Sequence, residues 1–482
     1  DVFNSYNSEY GRFDVVVRDD QENYFWNGKY FANSEKSIYC DEIVKFVLLQ
    51  KEKFEDILVV GGRLNGVIDK INTNTKSCYI DYVELDPNIL NYRPLKYKNV
   101  QLINADPVEI VNEINTDYDL IFIDVPEPVS LQLNRFYTLR FIESLDRILA
   151  KDGVLALTLS NGVNYSSEED LALNSILSET LQRVFAEVKV IPAEKNIFLS
   201  SYSSMITNDM EELIRRYRES NFKKGWFNES VIFENTNQLR KNEFLDFDEG
   251  AVVNTVANSR AYFYSVANWL KKIDINLHSD LLLKYKNIIL LASVLLFLVF
   301  FILLSILIGS GKPLLDLQIF FVSLVSFVLE LTLLNIFQMY FGVVYQNISI
   351  FTSFFLVGLL LGFVAEKSLK INLNYFYVLL LILSGLVVMM LQISFHRAFY
   401  FIFNFAVAFV EGSVLVRLIR RFELSNKNKG NVFYSFDSLG AMFGGLFSGL
   451  VILPLFGFLD LMYFIILLIV LTLLLNCFQR AK

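Results

Sequence analysis

The pattern of apolar and polar positions divides this chain near residue 286. Up to that point, short apolar runs alternate with charged segments, as in a globular domain. Beyond it, apolar runs of about 20 residues rich in Phe, Leu, Ile and Val follow one another, each long enough to cross a bilayer. The pattern predicts seven spans, near 287–309, 316–340, 345–365, 375–394, 398–416, 432–457 and 460–478. In the first part, Phe13-Asp14-Val15-Val16-Val17 and Tyr24-Phe25-Trp26 with the Asn27-Gly28 turn pair predict a β-hairpin-rich entry over residues 13–31. Strands follow at 57–60, 79–84, 100–103, 120–124 and 154–159, with helical segments between them. That rhythm implies a parallel, doubly wound α/β sheet. Closing strands are expected within 185–206, and a charged, largely helical stretch from Asp209 to Leu283, clearest at Met210–Arg218. The predicted organisation is an N-terminal β region (1–34), a Rossmann-like domain (35–206), a helical linker region (207–286) and a multi-pass transmembrane domain (287–482).

Composition agrees with this division. Of 482 residues, 54% are hydrophobic, and the mean hydropathy is +0.40, too high for an ordinary soluble protein. A net charge of −8, with no basic stripe interleaved with aromatics, argues against a nucleic-acid partner. Cys40, Cys78 and Cys477 form no CxxC pair, and His278 and His396 are the only histidines, so no metal site is expected. The first residue is Asp1 rather than Met, which leaves room for an upstream segment.

The most informative segment is the turn Val59-Val60-Gly61-Gly62-Arg63-Leu64-Asn65-Gly66, between a strand and a helix. Glycines there let the backbone turn sharply and approach a nucleotide at the helix N-terminus. Glu84, in Val83-Glu84-Leu85-Asp86, stands where a ribose hydroxyl needs an acceptor. Asp106 and Asp124 also follow predicted strands, so four polar signals converge on the carboxyl edge of the sheet, where ligands of such sheets bind. Asp124-Val125-Pro126-Glu127-Pro128 puts two carboxylates in a proline-stiffened loop. Asp124 can take a proton from an amine there, or simply cap a turn.

Together these segments resemble the spermidine synthase (polyamine aminopropyltransferase) family. Ser8-Glu9-Tyr10-Gly11-Arg12 resembles its entry strand, and Ser37-Ile38-Tyr39-Cys40-Asp41-Glu42 its Tyr-(Gln/His)-Glu segment. Gly61–Gly66 stands where the family has GGGDGG, and Asp124–Pro128 resembles its D-x-[ST]-D-P loop, followed by Leu133-Asn134-Arg135-Phe136-Tyr137-Thr138. The resemblance implies a Rossmann-like, methyltransferase-type fold in which Asp124 is the base, Glu127 binds the amine and Tyr39 positions it. It implies that Gly61, Gly62, Asn65 and Gly66 cradle the adenosyl donor, with Glu84 on the ribose and Asp106 on the adenine. The co-substrate would be decarboxylated S-adenosylmethionine, with no tightly bound cofactor and no metal. The sequence departs from the family at the turn: Arg63 and Leu64 replace a glycine and the acid that meets the aminopropyl amine, and Asn65 replaces the next glycine. Arg63 would repel a cationic tail but suit a carboxylate, which makes ordinary S-adenosylmethionine and a methyltransferase an alternative. A non-catalytic binding, scaffold or transport-related subunit is the other.

The apolar part resembles the spans of membrane-fused spermidine-synthase-like proteins, at Leu329-Glu330-Leu331, Phe355–Gly362 and Tyr434–Gly445. Val253-Asn254-Thr255 and Arg260–Tyr264 resemble the linker that precedes such spans. Glu330, Glu411 and Asp437 are ionisable groups inside spans, costly there unless paired or wet. The expected partners are the lipid bilayer and a small amine acceptor, with a homo-oligomer or membrane complex compatible. The expected location is the prokaryotic cytoplasmic membrane. The basic loop Arg417–Lys429 marks a cytoplasmic side, and with seven spans it places the first domain outside. Adenosyl donors are cytosolic, which favours the cytoplasmic side for that domain.

Overall fold

The computed structural model describes residues 2–8, 10–18, 21–26, 28–33, 38–62, 66–75, 78–92, 97–160, 166–222, 225–248, 250–271, 278–285, 287–289, 292, 299, 303, 313–342, 345–365, 372–425 and 430–481. The chain forms two compact units, residues 1–255 with 260–275, and residues 256–259 with 276–482.

The first unit opens with an antiparallel sheet, β1 (Val2–Ser8), β2 (Gly11–Arg18), β3 (Gln21–Trp26) and β4 (Lys29–Asn33), in that spatial order. The hairpin-rich entry expected over 13–31 corresponds to β2, β3 and β4, and β1 is an additional strand. Phe13, Val15 and Tyr24 fall on one face by the two-residue period of a strand and bury themselves with Ile89.

The second sheet contains β5 (Asp56–Gly61), β6 (Tyr79–Glu84), β7 (Val100–Asn104), β8 (Tyr118–Asp124), β9 (Leu149–Ser160), β10 (Glu187–Pro192) and β11 (Lys195–Ser201). Its order is β10-β11-β9-β8-β5-β6-β7. β9, β8, β5, β6 and β7 pair in parallel, as predicted. β10 and β11 run antiparallel, so the sheet is mixed. The cause is local: only Ala193 and Glu194 join those two strands, and a parallel crossover needs a dozen or more residues. Alternate side chains feed two cores. Ile57, Val59, Ile80, Tyr82, Leu120 and Phe122 pack on one face, and Leu58, Val60, Val83, Ile121 and Ile123 on the other.

Helices α1 (Ile38–Leu48), α2 (Val67–Asn74), α3 (Pro87–Tyr92), α4 (Pro107–Ile110), α5 (Leu131–Asn134), α6 (Leu139–Asp146) and α7 (Glu168–Gln182) connect or flank the strands. Four more, α8 (Met210–Glu219), α9 (Glu229–Thr236), α10 (Gln238–Phe244) and α11 (Arg260–Lys271), belong to the same unit.

The second unit comprises α12 (Ser279–Lys284), α13 (Pro313–Phe341), α14 (Tyr345–Ala365), α15 (Leu373–Met390), α16 (Arg397–Ser425), α17 (Gly430–Phe447) and α18 (Leu453–Ala481). Among the described residues, five helical stretches are long and apolar enough to cross a membrane: Leu314–Phe341, Asn347–Ala365, Leu373–Met390, Arg397–Glu423 and Phe456–Gln479. This is fewer than the seven expected. The stretch expected at 287–309 lies mostly outside the described residues. The one expected at 432–457 is interrupted: after α17 a π-helical turn at Ser448–Ile452 precedes α18, and Gly457 has φ 81°. Gly444, Gly445, Ser448, Gly449 and Pro454 crowd this stretch, and such residues are the usual causes of helix breaks.

Candidate active site

The candidate site begins where the strand order reverses, between β5 and β8. In the parallel register, Gly61 is the partner of Asp124, while β6 ends at Glu84 and β7 at Asn104, themselves register partners. The carboxyl ends of four adjacent strands therefore share one edge, which brings Gly61, Glu84 and Asp124 together, with Asp106 two residues past β7.

Gly61 and Gly62 both have φ +71°, a conformation that strains any residue with a Cβ. Space forbids one as well. A Cβ on Gly61 would sit 2.5 Å from the Asp124 carbonyl oxygen, and one on Gly62 3.0 Å from Asp124 Oδ2. The turn and the carboxylate are thus packed directly against one another. Gly66, φ +84°, stands at the N-terminus of α2. Arg63, Leu64 and Asn65 lie outside the described residues.

Asp124 is buried. Thr158 Oγ1, on β9, donates to its Oδ1 across 3.5 Å, and Lys195 Nζ, at the start of β11, lies 3.7 Å from the same oxygen. The loop that follows is pinned from below: Tyr137 donates its hydroxyl to the Pro126 carbonyl at 3.1 Å. Burial, with the charges of Glu127 and Asp124 nearby, pushes the Tyr137 hydroxyl well above its usual range and keeps it a donor. Tyr137 is held by Asn254, which donates to the Tyr137 carbonyl at 2.9 Å and to Asn134 Oδ1 at 3.0 Å. Cys40, on α1, is buried within electrostatic reach of Asp124. Burial first, and that charge second, raise its thiol and keep it neutral. Tyr39 lies in the first turn of α1.

Glu84 accepts from Tyr82 Oη at 2.5 Å and from the Leu85 N–H at 2.9 Å. Burial pushes its carboxyl up to about 7, against the opposing pull of those donors. Asp86 beside it is buried and accepts from Ser8 Oγ, which fastens β1 to this segment. Asp106 caps α4 by accepting from the Val108 N–H at 2.9 Å. Its other oxygen is occupied: Arg135 Nη2 lies 2.6 Å from Oδ2, with Arg135 buried and the Asp106 side chain nearly so. Arg135, Lys195, Thr158, Tyr137 and Asn254 are the site residues the sequence did not single out. Only Arg135, Tyr137 and Asn254 fell within motifs noted there.

Residues 36–212 match the model of the Spermine/spermidine synthase domain. The chain is similar to the polyamine aminopropyltransferase of Sulfolobus acidocaldarius, 22% identical over 186 residues, or 36% of this chain and 61% of the relative. The polyamine aminopropyltransferase of Korarchaeum cryptofilum is 26% identical over 199 residues, 38% of this chain and 61% of the relative. The chain thus spans less than two thirds of either relative. A crystal structure of a spermidine synthase in complex with the transition state analogue AdoDATO aligns with TM-score 0.43 and 16% identity, over 50% of this chain and 87% of that one. The spermidine synthase from Thermotoga maritima aligns with TM-score 0.41 and 16% identity, over 50% and 86%.

Proposed function

With a spermine/spermidine synthase domain at residues 36–212 and apolar helices of membrane-spanning length after it, we propose that this protein is a membrane-anchored aminopropyltransferase. The observation that carries the reading is the lateral pairing of Gly61 with Asp124 at the switch point. A nucleoside bound over the glycine turn would have its reactive carbon beside a carboxylate. The amine nitrogen attacks the methylene next to the donor's sulfonium. The N–C bond forms, the C–S bond breaks with its electron pair passing to sulfur, and the amine proton passes to Asp124. Alignment of the two partners supplies most of the acceleration. Glu127 would hold the far end of the amine, and Glu84 and Asp106 the nucleoside. The donor is decarboxylated S-adenosylmethionine, and the product nucleoside is 5′-methylthioadenosine.

Two contacts favour a second reading, a binding subunit that kept the fold. Lys195 stands where a cationic amine would approach Asp124, and Arg135 already occupies Asp106. The test is to incubate the full chain with decarboxylated S-adenosylmethionine and putrescine, following 5′-methylthioadenosine by mass spectrometry. Product formation that falls at least about a hundredfold in Asp124→Asn supports transfer. Nucleoside binding without product supports the second reading.

A further inference from the structure

Glu330, Glu411 and Asp437 are among the carboxylates of the helical unit that the chemistry above does not use. Ser323, Ser326 and Glu330 lie at i, i+3 and i+7 on α13 and so share one face. Ser323 Oγ donates to Asp437 Oδ1 on α17, and Ser326 Oγ donates to Glu411 Oε2 on α16 across 2.7 Å. Asp437, Glu411 and Glu330 are thereby ordered along a single helix face. Glu411 is 1% exposed, its Oε1 has no hydrogen-bond partner, and its charge interacts with that of Glu330. No Lys or Arg pairs with any of the three among the described residues. The backbones are fixed around them. A Cβ on Gly412 would lie 2.3 Å from the Leu359 carbonyl oxygen of α14, and one on Gly440 2.4 Å from that of Phe320 on α13. Uncompensated carboxylates in an apolar bundle need cations or protons.

We infer that Asp437, Glu411 and Glu330 form a binding file for a linear polyamine cation inside the helical unit. The choice of a polyamine rests on the aminopropyl-transfer reading; the need for a cation does not. The rungs fit. Three residues of helix rise about 4.5 Å and four about 6 Å, while three- and four-carbon spacers set nitrogens about 5 and 6 Å apart. The serine hydroxyls supply orientation that a bare carboxylate pair would lack.

The test is equilibrium binding of radiolabelled spermidine to the full chain in lipid nanodiscs, with butylamine as competitor and 5′-methylthioadenosine binding followed in parallel. In the unmodified chain, spermidine is expected to bind at least about tenfold more tightly than butylamine, about 1.4 kcal/mol. Glu330→Gln with Glu411→Gln is expected to remove this binding component and leave nucleoside binding unchanged. Ser326→Ala, which keeps every charge, is expected to weaken it severalfold. Equal affinity for triamine and monoamine, or unchanged spermidine binding in the double variant, overturns the file. Glu411-dependent spermidine binding without any nucleoside binding would retain the file and remove the transferase reading.

Discussion

Arg135 Nη2 donates to Asp106 Oδ2 across 2.6 Å, and neither side chain reaches solvent appreciably. The pair joins the 3₁₀ turn Arg135–Tyr137 to the N-terminus of α4. Arg135 Nε and Nη1 have no partner, so this guanidinium depends heavily on Asp106. Arg135→Met should cost about 3–5 kcal/mol, because it leaves a buried carboxylate uncompensated. Arg135→Met with Asp106→Leu should recover much of the loss. Thermal unfolding followed by tryptophan fluorescence measures this selectively, since all three tryptophans (Trp26, Trp226 and Trp269) lie in the first unit. A double variant no more stable than Arg135→Met would contradict the account.

The glycines of the turn should respond unequally to substitution. Gly61→Ala combines a strained φ with a Cβ 2.5 Å from a carbonyl that belongs to the neighbouring strand. It should cost several kcal/mol and abolish nucleoside binding. Gly66→Ala meets nothing closer than Asp69 Oδ2 at 4.0 Å, so its cost is conformational, about 1–2 kcal/mol. Gly66→Asn should cost less still. The comparison is read from the tryptophan-reported Tm of the three variants.

Nucleoside affinity should depend on pH through Glu84. Its carboxyl is raised to about 7 by burial, and ribose hydroxyls require the ionised acceptor. Binding therefore releases a proton below pH 7, and the Kd for 5′-methylthioadenosine should fall as pH rises to about 7 and then level off. Titration calorimetry in buffers of different ionisation enthalpy detects the released proton. Glu84→Gln should remove the pH dependence.

Stability should show the opposite trend with pH through Glu42. Burial on α1, with Glu194 nearby, raises its carboxyl to about 7, and Arg240 only partly offsets this. A folded-state value above the unfolded one stabilises the fold fully below about pH 4.5, and that contribution is lost as pH rises to about 7. The loss is about 3 kcal/mol for a shift of this size. Glu42→Gln should flatten the pH dependence of Tm between 4.5 and 7. An unchanged slope in the variant would show that other groups set it.

Much of the fold was legible because its sheet is buried on both faces. Continuous apolar runs such as Ile57–Val60 and Leu120–Ile123 can scarcely be anything but interior strands. The turn glycines and the acids at strand ends were legible for a related reason, since the carboxyl edge is set by topology alone. The contacts of those acids were not. Arg135 comes to Asp106 from 29 positions away, and Lys195 reaches Asp124 only because β11 returns antiparallel beside β9. Neither partnership leaves a periodic trace. The π-helical turn after α17 was also hidden, because hydropathy continues across a break in helix geometry.

The pairing of Gly61 with Asp124 has a kinetic side. The two residues are 63 positions apart, and they meet only when β5 and β8 zip in the observed register. Strand side chains alternate between faces, so a slip of one residue would turn Asp124 toward the opposite layer. Such a chain could still collapse around apolar strands of similar character, compact and inert. Recovery of activity on refolding should therefore lag behind recovery of compactness, because long-range pairing is the slow event. In this fold, the candidate site would be the last thing to be assembled.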